Sequence, residues 1–432
     1  MMKKMFSAAA LVATGALVLA GCGGGSTAPK AGSSESAGEQ GGTVRMWVME
    51  GSFSDETRQY LADEFAKENP GSELKIEVQQ WDGIVSKLQT SLASNNESPD
   101  LVEIGNTQTT TFTTVGAFAD VSDIYPDLGG DELIQSFVEA STVDGKIFAL
   151  PLYAGARGVY YRTDLFEKAG IEVPKTIDEF TKAVIALQEK NPEGTDNFSG
   201  MYMAAVDVHG IHSYLFAKGF DYAQLEGDKW VGKVNSPESI KALEGLKEIF
   251  DGGTKYALDS QAAQKSFENY FNKGETGVLI GTGNIGTKID QKFWDENKVG
   301  VFAIPSDKEG EPGKTFAGGS NIALATKAPN PELAKKALKT IFSEGFQKKV
   351  AELDGWVPGN TKYGVDAKSP FGDLASKIVS NSKLTPNSPE WGVNFGGGEL
   401  SEFYGKIAKG EDIKALADEL NKQIEEKLNS GK

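Results

Sequence analysis

The sequence predicts an α/β protein built from helix-flanked β-sheets in two domains. From residue 44 onward, apolar segments with the twofold period of strands alternate with segments of helical period. The roughly 390 residues that follow the leader are too many for one compact core, so two domains are expected. Cys22 is the single cysteine among 432 residues, so no disulfide braces either core and both must hold by packing.

The first strand spans residues 44–49, Val-Arg-Met-Trp-Val-Met, and reads as largely buried, with Trp47 a core residue. Tyr60, Leu61 and Phe65 then share one face of a helix that Asn69-Pro70-Gly71 stops. Leu74, Ile76 and Val78 alternate as a second strand. Ile84, Leu88 and Leu92 recur at a spacing of four, which predicts an amphipathic helix over residues 82–94. Residues 100–105, Asp-Leu-Val-Glu-Ile-Gly, form a third strand. This strand-helix-strand-helix-strand order predicts parallel pairing, with ligands bound beyond the carboxyl ends of the strands. Glu50, Gly51 and Ser52 follow the first strand, and Asn106, Thr107 and Gln108 follow the third. These polar groups stand where a binding edge belongs, or they are ordinary loop residues.

A second unit starts near Tyr161. Thr176 with Glu179 three residues on fits a capping box for the helix carrying Phe180 and Leu187. Residues 276–280 read as a strand that ends in Gly281-Thr282-Gly283-Asn284. That tetrapeptide lacks the Lys-Ser/Thr of a P-loop and the glycine spacing of a dinucleotide site. Residues 299–304 make another strand. Asn330-Pro331 starts a helix with Leu333, Ala337, Leu338 and Ile341 inward. Ile413, Leu416, Leu420, Ile424 and Leu428 form the apolar stripe of a closing helix, a core face.

Composition excludes several functions. The formal net charge is −17, from 44 Lys plus Arg against 61 Asp plus Glu, a field that repels nucleic acid and anionic membrane surfaces. His209 and His212 are the only histidines, which argues against zinc or haem chemistry, and no metal ligands or cofactor are expected. No Ser-His-Asp order or nucleophile elbow is present. After the leader, no apolar run reaches the roughly 20 residues of a membrane span.

The leader is distinctive. Lys3 and Lys4 precede an apolar run over residues 8–20, too short to span a bilayer comfortably. Leu19-Ala20-Gly21-Cys22 resembles the lipobox of bacterial lipoproteins, in which cleavage exposes the cysteine for lipidation. A signal peptide over residues 1–21 and lipid on Cys22 are therefore expected. Two acyl chains suffice for stable anchoring where one binds only marginally. Residues 23–42 contain no large apolar side chain and read, with Cys22, as a flexible tether. The resemblance places the protein outside the cytoplasmic membrane, and the long Gly/Ser tether suits a Gram-positive cell surface.

Five segments in order then resemble the extracellular solute-binding proteins of bacterial ABC importers. They are Ser98-Pro99-Asp100-Leu101-Val102; Ala149-Leu150-Pro151-Leu152-Tyr153 with the following residues 158–166; Phe271-Asn272-Lys273-Gly274-Glu275-Thr276-Gly277; Phe316-Ala317-Gly318-Gly319-Ser320-Asn321 with the helix from Asn330; and Gly355-Trp356-Val357-Pro358. The resemblance covers essentially residues 43–430 and is closest to the carbohydrate-binding branch that includes maltose-binding protein. It implies the two-lobed periplasmic-binding-protein-like fold of type II, each lobe a helix-flanked sheet, joined by hinge crossovers. The lobes would comprise residues 43–152 plus 310–358 and residues 153–309 plus 359–432. A sugar, best an oligosaccharide, would lie between them, and the closed monomer would deliver it to the permease subunits of the transporter. No catalytic residue is expected.

Sugars present polar edges and apolar C–H faces, so their sites pair flat aromatic rings with planar hydrogen-bonding groups. Trp81, Tyr153, Trp230, Trp356 and Trp391 supply candidate rings, Trp391 at the segment where the maltose-binding relatives place a stacking aromatic. Glu50, Asn106, Thr107, Gln108, Arg157, Asp207, His209 and Ser320 supply candidate polar contacts, Asp207 and His209 from the resemblance. Gly318 and Gly319 on the returning crossover would allow close backbone approach. Asn284 stands where sugar-binding relatives often carry a tryptophan, a departure that makes maltose itself a poor fit. Two alternatives stay open: a non-sugar solute such as a peptide or polyamine, and a lipid-anchored glycoside hydrolase, which needs two carboxylates at a fixed separation.

Overall fold

The computed structural model describes residues 41–155, 157–260, 266–363 and 371–430. Cys22 and the rest of the leader and tether up to residue 40 lie outside the described residues.

The three strands predicted for the first unit join three further strands in a six-stranded sheet whose order is Val357–Pro358, Leu150–Gly155, Gly318–Leu324, Leu101–Gly105, Thr43–Met49, Glu73–Gln79. Thr43–Met49 pairs in parallel with both of its neighbours, as the alternation with helices predicts. Gly318–Leu324 enters antiparallel to both Leu101–Gly105 and Leu150–Gly155, so the sheet is mixed. This strand comes back from the other sheet and therefore starts at the end where the parallel strands finish.

Both faces of the sheet are buried at Thr43–Met49, Leu101–Gly105 and Leu150–Gly155, which is why these strands are mostly apolar. Met46 and Val48 pack with Leu61, Phe65, Leu338, Ile341 and Phe346 from the helices Asp55–Glu68, Pro331–Ile341 and Glu344–Asp354. Trp47 and Met49 face the other way, with Ile84, Leu88 and Leu92 of helix Ile84–Ala93. The second strand departs from its expected alternation: Val78 is exposed and Gln79 is buried. Glu73–Gln79 is the edge strand, so its far end has less protein to cover it.

A second, three-stranded sheet sets Arg157–Arg162 between Val278–Thr282 and Val299–Phe302, antiparallel to both. Val159, Val278 and Ile280 join one core with helices Ile177–Lys190, Val208–Ala217, Pro237–Gly252 and Ile413–Leu428. Tyr160 and Leu279, one residue out of phase, join another core with Phe271, Phe371 and Ile378. Thr176 caps its helix by accepting from the Glu179 N–H at 3.2 Å, while Glu179 reaches back to the Lys175 N–H at 2.8 Å. The strand expected over residues 276–280 starts at Val278, because Thr276 instead bridges Ser199. Leu420, Ile424 and Leu428 of the closing helix are buried, as their spacing predicts.

The chain leaves the first sheet at Gly155 and joins the second at Arg157. It returns through Thr315–Phe316, which pairs in parallel with Ser382–Lys383, and enters the first sheet again at Gly318.

Candidate ligand-binding cleft

A cavity of about 660 Å³ opens where these crossings meet the ends of the first sheet. Glu50, Gly51 and Ser52 reach it from the end of Thr43–Met49, and Asn106, Thr107 and Gln108 from the end of Leu101–Gly105. Gly318, Gly319 and Ser320 join from the start of the antiparallel strand, since Ser320 is paired with Gly105. Arg157, His209 and Asn284 line it from the side of the second sheet, and Trp81, Tyr153, Trp356 and Trp391 complete the predicted set.

Asp207, a predicted polar contact, does not line the cleft. It precedes helix Val208–Ala217, and its carboxylate accepts from the Gly210 N–H at 3.1 Å, capping the helix start. Trp230 also lies elsewhere, on a hairpin whose backbone is held by Asn429.

The aromatic residues differ in what they offer. Trp81 is 42 % exposed and stands beside Gly105, a ring available to a ligand. Trp356 is half-buried, stacks on Tyr153 at 4.8 Å between ring centres, and donates its Nε1–H to the Ser52 carbonyl at 2.7 Å. Trp391 is only 4 % exposed and packs between Tyr222 and Phe395, so it serves the core while it borders the cleft. Its expected role as a stacking face is at odds with that burial.

The small residues of the crossover are demanded by protein packing. A Cβ on Gly319 would lie 2.4 Å from the Tyr153 carbonyl oxygen, and one on Gly318 would lie 2.7 Å from Phe316. Asn284 is likewise engaged, its amide donating to the Asp354 carbonyl at 3.1 Å. Asn106 donates to the Ala317 carbonyl at 3.2 Å, which ties the third strand's end to the crossover.

Arg157 is the cation of the cleft. It donates to the Gly155 carbonyl at 3.4 Å and lies over the face of Phe316 at 5.5 Å. Burial pulls the guanidinium down to about 10, against the attraction of Asp207. Phe316 also stacks on His209 at 4.8 Å. Gln108 and His212 each keep a buried polar atom, Oε1 and Nδ1, without a hydrogen-bond partner among the described residues. Such atoms are costly unless a ligand or water meets them.

Beneath the cleft floor lies Glu103, fully buried at the centre of the third strand. It accepts from the Met49 N–H at 2.8 Å, from Ser52 Oγ at 2.7 Å and from the Tyr153 hydroxyl at 2.7 Å. Burial raises its pKa, while Ser320 and these three donors draw it back.

Sequence reasoning did not single out His212, Phe316, Thr385 or the run Gly396-Gly397-Gly398 as cleft residues, yet all line it. Phe316 had a signal, since it adjoins the Gly318-Gly319 crossover. His212 had one too, standing three residues after His209 on the same helix face, whereas Thr385 had none. Among the described residues, no cluster of three or more His, Cys, Asp or Glu side chains is arranged to hold a metal ion.

Two helix-flanked sheets joined by crossing strands, with a polar and aromatic cleft at the crossing, define the type II periplasmic-binding fold. The GacH receptor of Streptomyces glaucescens shares it with a TM-score of 0.76 at 21 % identity, over 90 % of this chain and 99 % of that one. The maltose-bound T. maritima MalE3 matches with a TM-score of 0.74 at 20 % identity, over 89 % and 99 % of the two chains. The chain belongs to the bacterial extracellular solute-binding protein family, which it matches over residues 51–348, and it is an extracytoplasmic protein. It is 31 % identical to the diacetylchitobiose binding protein DasA of Streptomyces coelicolor over 433 aligned positions, 98 % of this chain and 99 % of that protein. The maltodextrin-binding protein MdxE of Bacillus subtilis is 24 % identical over 390, covering 87 % and 88 %.

Proposed function

We propose that this protein captures an oligosaccharide in the cleft and delivers it to the permease of an ABC importer, without transforming it. The observation that carries this reading is the juxtaposition of the exposed Trp81 and the Trp356–Tyr153 stack with Asn106, Gln108 and Arg157 in one cavity. Flat rings meet the C–H faces of pyranoses while planar amides and a guanidinium take their hydroxyls. The relatives DasA and MdxE, both named for oligosaccharide binding, support the same substrate class. DasA, similar over nearly the whole chain, makes N,N′-diacetylchitobiose the first ligand to test.

The rival chemistries lack their groups. Glu50 is the one carboxylate among the described residues lining the cavity, whereas a glycosidase needs a pair across the scissile bond. A polyamine site needs several carboxylates lining the cavity, and here Glu50 is joined there by the cation Arg157.

The two lobes exchange the chain where it leaves the first sheet at Gly155 and re-enters it at Gly318, rather than at residues 153 and 310, and hinge closure around the sugar presents the loaded monomer to the transporter. Lipid on Cys22 holds the protein at the outer face of the membrane, in keeping with a Gram-positive surface. Cys22→Ala then moves the protein from the membrane fraction to the medium with its affinity unchanged. Calorimetric titration against mono- and oligosaccharides, peptides and polyamines tests the substrate class. Binding of a peptide or polyamine with no response to any sugar overturns it, and turnover of a bound oligosaccharide overturns the non-enzymatic reading.

A further inference from the structure

We propose that Glu103 is a positioning residue for sugar binding: from beneath the cleft it sets the Tyr153–Trp356 ring pair against which the ligand stacks. The inference rests on the reading of the cleft as a sugar site. Glu103 is fully buried and touches no ligand space, yet its Oε1 accepts from both Ser52 Oγ and the Tyr153 hydroxyl at 2.7 Å. Each of these residues holds Trp356 in turn. The Ser52 carbonyl takes the indole Nε1–H at 2.7 Å, and the Tyr153 ring lies against the indole with an interplanar angle of 25°. The contacts close into a ring: Glu103 to Ser52, Ser52 to Trp356, Trp356 to Tyr153, and Tyr153 back to Glu103.

A side chain that stacks on a sugar must keep one tilt, and a tryptophan has two torsions to lose. Here the tilt is fixed at the indole nitrogen and at the ring face, both referred to one buried carboxylate. Its other oxygen takes the Met49 N–H, so the same group is anchored to the end of the first strand. Ser320 Oγ donates to the Tyr153 hydroxyl at 3.1 Å, which leaves that hydroxyl's own proton for Glu103. Burying a carboxylate without a cation is expensive unless its acceptors are filled, and this one spends them on the residues that carry the platform. A core of the same volume could be filled by an apolar residue at lower cost, which points to a positioning role.

The test is a double-mutant cycle read in affinity. Glu103→Gln keeps the shape but leaves one oxygen to serve all three donors, and Tyr153→Phe keeps the ring but removes the hydroxyl. With N,N′-diacetylchitobiose, or whichever sugar of the calorimetric series the wild type binds, each single variant raises Kd about tenfold, and the double variant raises it no further. In the unliganded protein, the near-ultraviolet circular dichroism assigned to Trp356 (the difference from Trp356→Phe) collapses in Glu103→Gln. Unchanged Kd in either single variant, multiplied losses in the double variant, or an unaltered Trp356 signal overturns the inference. Should Glu103→Gln fail to fold, Tyr153→Phe alone decides, since it leaves the carboxylate and the ring in place. A wild type that binds no sugar instead overturns the reading of the cleft, and the inference with it.

Discussion

The side-chain amide of Asn284 donates to the backbone carbonyl of Asp354 at 3.1 Å, tying the end of the second sheet's strand Val278–Thr282 to the helix Glu344–Asp354 that covers the first sheet. Next to it the two backbones touch. A Cβ on Gly283 would sit 2.2 Å from the Gly355 carbonyl oxygen, and Gly355 itself ends the helix at φ 68°. Gly355→Ala therefore meets both a left-handed backbone and an occupied space. It is expected to lower the unfolding free energy by at least about 1 kcal/mol, read as a drop in the denaturant midpoint at constant m-value. Stability equal to that of the wild type would show that the contact yields without cost.

Trp81 and Trp391 are expected to separate binding from folding. Trp81 is 42 % exposed at the cleft mouth, so Trp81→Ala leaves stability within about 0.5 kcal/mol and weakens sugar binding at least about tenfold. Trp391 is 4 % exposed against Tyr222 and Phe395, so Trp391→Ala costs about 3–5 kcal/mol of stability. Paired melts and titrations check both. A Trp391→Ala variant that melts with the wild type would return that ring to the ligand.

His212 makes stability depend on pH. Burial, then the neighbouring His209 and Arg157, hold its pKa well below the ordinary 6.5. Its Nε2 meets the Tyr222 hydroxyl at 2.6 Å and its Nδ1 has no partner among the described residues, so no acceptor waits for a second proton. Below the ordinary histidine value the unfolded chain takes up a proton that the folded chain refuses, so acidification favours unfolding. The stabilisation is complete above pH 6.5 and is lost as the pH falls below it. Chemical denaturation between pH 7 and 5 should show a slope that His212→Gln reduces by up to about 1.4 kcal/mol per pH unit. Identical slopes would mean that His212 titrates normally in the fold.

Much of the binding edge was legible before the fold. Polar residues directly after apolar strands, such as Glu50 and Asn106, can be read as cleft residues because strand direction alone decides at which end they emerge. Trp81 and Trp356 were candidates as flat rings, and both line the cleft. A carboxylate at a helix start looks the same in sequence whether it faces a ligand or, as at Asp207, the Gly210 N–H. Resemblance places Trp391 at the cleft but leaves its burial open, which depends here on Tyr222, some 170 positions earlier.

Periodicity, caps and the order of segments determined the class of this protein by themselves: strands, helices and their alternation arise from local backbone and side-chain preferences. The resemblance of five ordered segments then specified the family, since each carries its own local constraint. Tertiary structure decided which side chains meet. The six-stranded sheet brings Met49, Ser52, Glu103, Tyr153, Ser320 and Trp356 together from four strands and two loops. A buried carboxylate among apolar neighbours gives no signal in sequence, because its donors Met49, Ser52 and Tyr153 stand 50 to 54 residues away along the chain. Only the folded chain, by removing water from Glu103, makes those donors necessary.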